Sequence, residues 1–452
     1  MNIEIKYDGA KLLLPEIACD CGGTHAQPDM DIYIGKGVIE NCAEYIQARV
    51  LGKNVVVVTD NIVYDIAGKR VEQLLRTNGY QVTLCKLERE EPLIPNEVGL
   101  GEILLTLDDT TDFLVAVGSG SITDLTRYVS YRTGKPFVCV GTAPSMDGYT
   151  SVIAPLTLGN LKVNKPADYP RVLICDLAIM AEAPYDMLMA GFGDVVGKYI
   201  AKADWTLGHI VNNEPICPAC IDIVTQAVEK CIDNIEGIKN RTEAGIQSLI
   251  EGLILAGLTI LIIGHTRPVA SNEHGMAHYW EMMKLLRGEE PASHGISVGV
   301  ATVYAIRFFE EFLDQPVNTL SLEKVQATRM LKEERDTIIL EKYSPRIGEA
   351  ILRDNPDEYL AWDEQKRRFQ IIVDQFEAIR KELDFLPNTS EIIEMYQRVG
   401  APYTAADIGI DTQLLEDALV YAKDYRNRYT VFKSANELGI LGDVVNRVLT
   451  SR

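Results

Sequence analysis

The chain has 452 residues, 47% of them hydrophobic and 24% charged, with a net charge of −21. That length predicts two or three domains with a full core, and so acidic a surface repels nucleic-acid phosphates and offers nothing to attract a membrane. An anionic substrate must therefore meet a local positive site, such as a metal, helix N-termini or a few basic side chains.

The first residues, MNIEIKYDGAKLLLPEI, lack a positive stretch followed by a long apolar core, so no leader peptide is expected. Nine scattered Cys, an odd number, favour reduced thiols and a cytoplasmic location over a disulfide scaffold. Residues 54–60 (NVVVVTD) read as a strand buried on both faces. Residues 61–78 follow as a helix stopped by Gly79, and 80–87 as a second strand. A helix is predicted over 96–107, a strand over 112–118, a helix over 121–133 and a strand over 136–140. Residues 151–170 are irregular, with room for a hairpin or flap, and 171–176 form a last strand. Strands alternating with helices indicate a parallel sheet covered on both faces. Beyond Pro184 only helical patterns remain, which divides the chain into an α/β dinucleotide-binding domain, 1–182, and a helical metal- and substrate-binding domain, 183–452. The longest apolar run, 252–264, is shorter than the ~20 residues of a membrane span and reads as a helix buried on most faces.

Four segments carry chemistry. Gly118-Ser119-Gly120-Ser121-Ile122-Thr123-Asp124 joins a buried strand to a helix. It is either a tight structural turn or a phosphate cradle, because helix N-termini present free N–H groups to anions. Thr123 stands where the third Gly of the usual dinucleotide fingerprint would be. The loop Thr142-Ala143-Pro144-Ser145-Met146-Asp147-Gly148 leaves the next strand at the carboxyl edge, where open α/β sheets bind ligands. In Gly191-Phe192-Gly193-Asp194, the Asp is open to a capping role or an ion pair with Lys198. Residues 265–281 hold three of the six His, with His274 and His278 one helical turn apart, and His294 follows. Imidazole is a common ligand of borderline divalent metals, and clustering argues against isolated core histidines. Two further groups, Cys19/Cys21/His25 and Cys217/Cys220, each look like half of a metal site without an evident partner, and buried small side chains are the other reading.

With these motifs in order, the sequence resembles the glycerol-1-phosphate dehydrogenases, and within them the longer bacterial branch. They belong to the superfamily of iron-containing alcohol dehydrogenases, glycerol dehydrogenases and dehydroquinate synthases. The likeness runs from Asn54 to about Leu441 and includes Arg428-Tyr429-Thr430-Val431 and Glu437-Leu438-Gly439. It implies a Rossmann-like domain followed by an all-helical one. It also implies cofactor contacts at Asp60, Gly118, Ser119, Gly120, Ser121, Ile122, Thr142, Ala143, Pro144, Ser145 and Ser151. By the same likeness Asp147 and His278 serve the substrate, and Asp194, His274 and His294 hold one divalent metal, Zn or Ni. The implied reaction interconverts sn-glycerol 1-phosphate and dihydroxyacetone phosphate with NAD(P)(H). The implied partners are a small phosphorylated polyol and further copies of the chain, a dimer or larger, with no nucleic acid and no membrane. Lys162 and Lys165 are candidate phosphate donors. Glycerol dehydrogenase is the alternative, and so is a dehydroquinate synthase-like lyase, against which SNEHGMAH, without Lys or Arg, speaks. Two departures from the family pattern stand out: Gly-Ser-Gly replaces a triple Gly, and Arg127 stands where relatives commonly have Lys.

Overall fold

The computed structural model describes residues 5–14, 19, 21–90, 92–159, 161–356 and 358–450. Its strands are β1 (Lys6–Asp8), β2 (Lys11–Leu13), β3 (Asp31–Gly35), β4 (Asn54–Asp60), β5 (Gln81–Leu87), β6 (Phe113–Gly118), β7 (Phe137–Gly141), β8 (Ile153–Leu158), β9 (Leu161–Pro166) and β10 (Val172–Asp176). Eight form one sheet in the order β1-β2-β3-β10-β7-β6-β4-β5, and β8 and β9 make a separate hairpin. Pairing is parallel from β3 to β5, with β1 and β2 added antiparallel at one edge. After β10 every regular element among the described residues is helical.

The register explains the apolar runs. Val57 lies opposite Val115, Val115 opposite Val138, and Val138 opposite Val172, so one stripe of β-branched side chains crosses the sheet on a single face. Val71 and Leu75 of the helix Lys69–Thr77 pack on that stripe. Val56 and Val58 are equally buried on the opposite face. A strand covered on both sides needs no polar alternation, and each such side chain contributes roughly 1.5–3 kcal/mol by burial.

The structure differs from the sequence reading in three places. The helix expected over 61–78 is interrupted by a π-helical stretch, Tyr64–Gly68, before continuing as Lys69–Thr77. A Cβ on Gly68 would lie 3.1 Å from the Tyr64 ring and 3.3 Å from the Thr59 hydroxyl, so the widened turn lies hard against β4. Strands β1 to β3 carry too short a pattern to announce themselves. The apolar run at 252–264 is only the second half of a helix, Glu243–Ile263, that is long and apolar enough to cross a membrane by length and composition. Its most apolar window is 89% buried within the protein. Thr242 caps its start by accepting the Gly245 N–H, and Gly264, at φ 78°, ends it.

By compactness the chain forms two units: Met1–Val195 with Pro218–Pro268, and Val196–Cys217 with Val269–Arg452. Strands do end just before residue 182. Yet Glu243–Ile263 packs on Pro218–Asp233, on Leu177–Ala181 and on the short turn Asp147–Thr150. A boundary drawn where strands cease therefore leaves out helices that complete the first unit.

The second unit is tied by buried ions. Asp204 is wholly buried and accepts from the Ser271 hydroxyl (2.7 Å), the Asn272 N–H (3.4 Å) and the Val431 N–H (2.7 Å), so one carboxylate fixes two helix starts. Asp424 accepts from Arg335 Nε (3.1 Å) and Nη2 (3.0 Å) and from Lys423 Nζ (2.7 Å). Burial pushes its carboxyl up, but Lys423 and Arg335 outweigh that and hold it below the ordinary 3.8. A depressed folded-state value adds stability above pH 3.8 that is lost as pH falls through the lowered value. Asp424→Asn should therefore lower the unfolding free energy at pH 7 by about 3–5 kcal/mol, since it strands two cations. Urea titrations at descending pH should show the gap closing below pH 3.8. A loss under about 1 kcal/mol at pH 7 would rank the cluster with ordinary surface pairs.

Candidate active site

The chain runs outward from β4 to β5, then returns to place β6 on the other side of β4. The order reverses there, and a doubly wound sheet has its ligand crevice at such a point, outside the strand carboxyl ends. Asp60 ends β4, Gly118 ends β6 and Thr142 follows β7, so three of the predicted cofactor segments come to one edge. Gly118 lies directly opposite Gly141. The helix Gly120–Thr133 starts at this edge behind Ser119, in the N-cap position. The N–H groups of its first turn, at Gly120, Ser121 and Ile122, open toward the crevice. A Cβ on Gly118 would fall 2.7 Å from the Ile122 Cβ, and one on Gly120 3.1 Å from Met146. Thr123 needs no glycine, because its hydroxyl donates to the Ser119 carbonyl at 2.8 Å. Asp60 caps the next helix: its Oδ1 accepts the N–H groups of Ile62 (2.9 Å) and Val63 (2.7 Å).

The loop 142–151 is held by close backbone approach. A Cβ on Gly191 would lie 1.9 Å from the Pro144 carbonyl oxygen, and one on Gly257 2.1 Å from the Asp147 carbonyl oxygen. Two helices thus pinch the loop through their glycines, and the Asp147 N–H donates to Asp194 Oδ2 at 2.9 Å. Tyr149 closes the turn by donating to the Ala143 carbonyl (2.6 Å). Ser145 belongs to this loop, whereas the Ser151 hydroxyl is engaged locally, accepting the Ile153 N–H at 3.0 Å. Arg127, fully buried, donates through Nη1 to the carbonyls of Ser151 and Ile153, both at 3.2 Å. Burial lowers its pKa, and Asp124, 3.7 Å away, opposes that.

In the second unit, His274 and His278 lie on the helix Asn272–Leu286, and His294 begins the helix His294–Leu313. Their ring centroids are 5.2 Å (274–294), 5.1 Å (278–294) and 6.1 Å (274–278) apart. His274 Nδ1 lies 2.8 Å from Glu273 Oε1, and His294 Nδ1 2.7 Å from Glu281 Oε1. Both carboxylates are buried. A carboxylate that accepts from Nδ1–H keeps the imidazole proton on that nitrogen and leaves the Nε2 lone pair free, as metal-ligating imidazoles require. The donor set therefore fits a borderline divalent metal. Burial pushes Glu273 up to about 7 against the pull of backbone N–H groups, Lys198 and Arg428. Burial, then His294, pulls His278 well below 6.5, with Glu281 opposing, so it is neutral at pH 7. Its Nδ1 is buried without a hydrogen-bond partner among the described residues.

Sequence reasoning missed Glu273 and Glu281, whose signal was only their place on the histidine helix. It also missed Arg426, whose charge reaches His278. Arg426 lies 4.8 Å over the Tyr425 ring, which meets His278 edge-on at 5.5 Å. Lys162 and Lys165 do not form a pair. Lys162 lies opposite Thr157 and Lys165 opposite Ala154 on β8, so strand alternation sends them to opposite faces of the hairpin.

A sheet with its nucleotide loop at the switch point, and imidazoles steadied by buried carboxylates, define a nucleotide-linked, metal-dependent dehydrogenase. The family model for iron-containing alcohol dehydrogenase matches residues 33–184. The glycerol-1-phosphate dehydrogenase [NAD(P)+] of Halalkalibacterium halodurans is 32% identical over 422 residues, covering 93% of this chain and 95% of the relative. The chain belongs to the glycerol-1-phosphate dehydrogenase family. The like-named protein of Thermoplasma acidophilum is 29% identical over 292 residues, covering 62% of this chain and 78% of its own. A probable glycerol dehydrogenase from Sinorhizobium meliloti shares the fold at a TM-score of 0.62 and 16% identity, covering 94% of this chain and 99% of that one.

The glycine pinch makes a direct prediction. Gly191→Ala must displace the Pro144 carbonyl, and with it the cofactor loop. NAD(P)H affinity, read by fluorescence titration, should fall at least about tenfold, or 1.4 kcal/mol, with far-UV circular dichroism unchanged. Wild-type affinity in the variant would show that the loop position does not matter to the cofactor.

Proposed function

We propose that this chain interconverts sn-glycerol 1-phosphate and dihydroxyacetone phosphate with NAD(P)(H), using one divalent metal, zinc or nickel, held by Asp194, His274 and His294. The observation that carries the reading is the pair of metal-competent imidazoles, each steadied at Nδ1 by a buried carboxylate. When bound, the metal supplies Lewis acidity that lowers the pKa of the substrate hydroxyl, and the nicotinamide supplies the hydride acceptor. Helix N–H groups at Gly120, Ser121 and Ile122 bind the pyrophosphate, and residues 142–145 flank the nicotinamide side. Asp147, its own N–H tied to Asp194, orients a glycerol hydroxyl. His278, neutral at pH 7, bonds a second substrate oxygen through its otherwise unpartnered Nδ1. Arg426 receives the substrate phosphate, in place of Lys162 and Lys165. The enzyme works in the cytoplasm as a homo-oligomer, a dimer or larger.

Two experiments test this. His274→Ala should lose the active-site metal equivalent, measured by mass spectrometry, together with nearly all turnover. Metal retained in full by that variant would remove His274 from the ligand set. Wild type should oxidise sn-glycerol 1-phosphate at least about a hundredfold more efficiently than glycerol, since charge-assisted bonds contribute about 1.5–3 kcal/mol each. Arg426→Gln should lower kcat/KM for the phosphate ester by about tenfold to a hundredfold and leave glycerol almost unaffected. Equal efficiency of wild type with both substrates would make glycerol the substrate instead.

A further inference from the structure

The half-site Cys19/Cys21/His25, unpartnered in the sequence, meets Cys217 of the second cysteine group in the fold. Cys19, Cys21, His25 and Cys217 each bring one ligand atom into a cluster whose members all lie within 4.8 Å of one another. Cys21 Sγ is 3.5 Å from His25 Nε2. A tetrahedron with zinc–sulfur bonds of about 2.3 Å has edges of about 3.8 Å, so the four atoms need to contract little to close on one ion. No cysteine among the described residues is in a disulfide. We propose that Cys19, Cys21, His25 and Cys217 bind a structural zinc ion, separate from the active-site metal.

The local backbone suits this. Gly22, at φ 78°, takes the left-handed turn that folds Cys21 back toward His25. A Cβ on Gly23 would touch Cys21 Sγ at 3.4 Å, so the turn is drawn tightly around the sulfur. Between β2 and β3 no helix or strand is present among the described residues, and the tethers of that segment include the Ala26 N–H donated to the Ile262 carbonyl. So long an irregular connection needs a fastening of its own. Cys217 is the boundary residue at which the chain returns to the first unit, immediately ahead of the helix Pro218–Asp233. One ion here would fasten the irregular segment to the start of that helix.

The chemistry selects the metal. Three thiolates and one imidazole are soft ligands that favour zinc over magnesium or calcium. Each thiol gives up its proton on binding, leaving a complex of net charge −1 that four protein ligands close to substrate. The set lacks the open position of a catalytic site, so the role is structural.

The test uses the full-length protein purified from zinc-supplemented medium and, in parallel, apoprotein refilled with cobalt(II). Wild type should carry one zinc equivalent released by a thiol-reactive mercurial, and the cobalt form should show thiolate-to-metal charge-transfer absorption. Cys217→Ser should lose that equivalent and that absorption. His274→Ala should keep both, which separates failure of this site from failure of the active-site assignment. The wild-type measurements stand even if Cys217→Ser does not fold. Absence of mercurial-released zinc and of the thiolate band in wild type would overturn the proposal, as would a disulfide among these cysteines in protein isolated without reductant.

Discussion

The site depends on two places where a helix meets a backbone carbonyl with no side chain between them. At Gly191 and Gly257 a Cβ would sit 1.9 Å and 2.1 Å from the carbonyl oxygens of Pro144 and Asp147. Contact this close leaves no room for a side chain between either helix and the loop after β7. It is this constraint that brings the Asp147 N–H onto Asp194 and keeps Met146 against Gly120 at the start of the helix Gly120–Thr133. Arg127 completes the hold from below, through the carbonyls of Ser151 and Ile153. Gly191 is thus a spacer for a loop far away in sequence, one turn before the Asp194 that accepts from that loop.

Much of the first unit was legible because its physics is local. β4 coincides with its predicted bounds, and the other central strands fall within a residue or so of theirs, since a strand buried on both faces writes a continuous apolar run. The helix end at Gly134, with φ 69°, was equally plain. What could not be read depends on contacts between distant segments. The three-residue strands β1 and β2 exist only by pairing along β3. Helix Glu243–Ile263 declares itself buried but not what buries it, so the compact units escaped a boundary set by strand content. The candidate site divides in the same way. His274, His278 and His294 stood out by clustering, while Glu281 and Arg426 had only ordinary charge to show. That Lys162 and Lys165 point to opposite faces could not be read either, because facing is undefined in an irregular segment until a strand forms there.

The helical unit places carboxylates where burial would ordinarily exclude them, and each serves several donors. Asp204 serves Ser271, Asn272 and Val431, and Asp424 serves Arg335 and Lys423. Glu281 and Glu273 instead orient imidazoles. Asp204 and Asp424 have both oxygens occupied by donors, whereas Glu273 keeps one buried oxygen, Oε2, without a hydrogen-bond partner among the described residues. Rigidity at the histidines is therefore inherited from Asp204, which holds Ser271 and Asn272 at the head of the same helix that carries His274 and His278.

A protein of net charge −21 that handles two anionic ligands must resolve an electrostatic conflict. At the sheet edge the first unit presents the start of the helix Gly120–Thr133, whose first N–H groups have no partner within the helix, while its buried Arg127 is engaged with backbone carbonyls. The second unit places Arg426 and Arg428 close enough to the histidine helix to act on His278 and Glu273. Charges at such short range in a poorly screened interior outweigh many more distant surface carboxylates, whose influence fades over a Debye length of about 8 Å. The global charge thus keeps the surface acidic, while the field at the histidine helix is set by a handful of nearby groups. Net charge therefore describes the surface at large, whereas the candidate binding residues are told apart only by where the fold puts them.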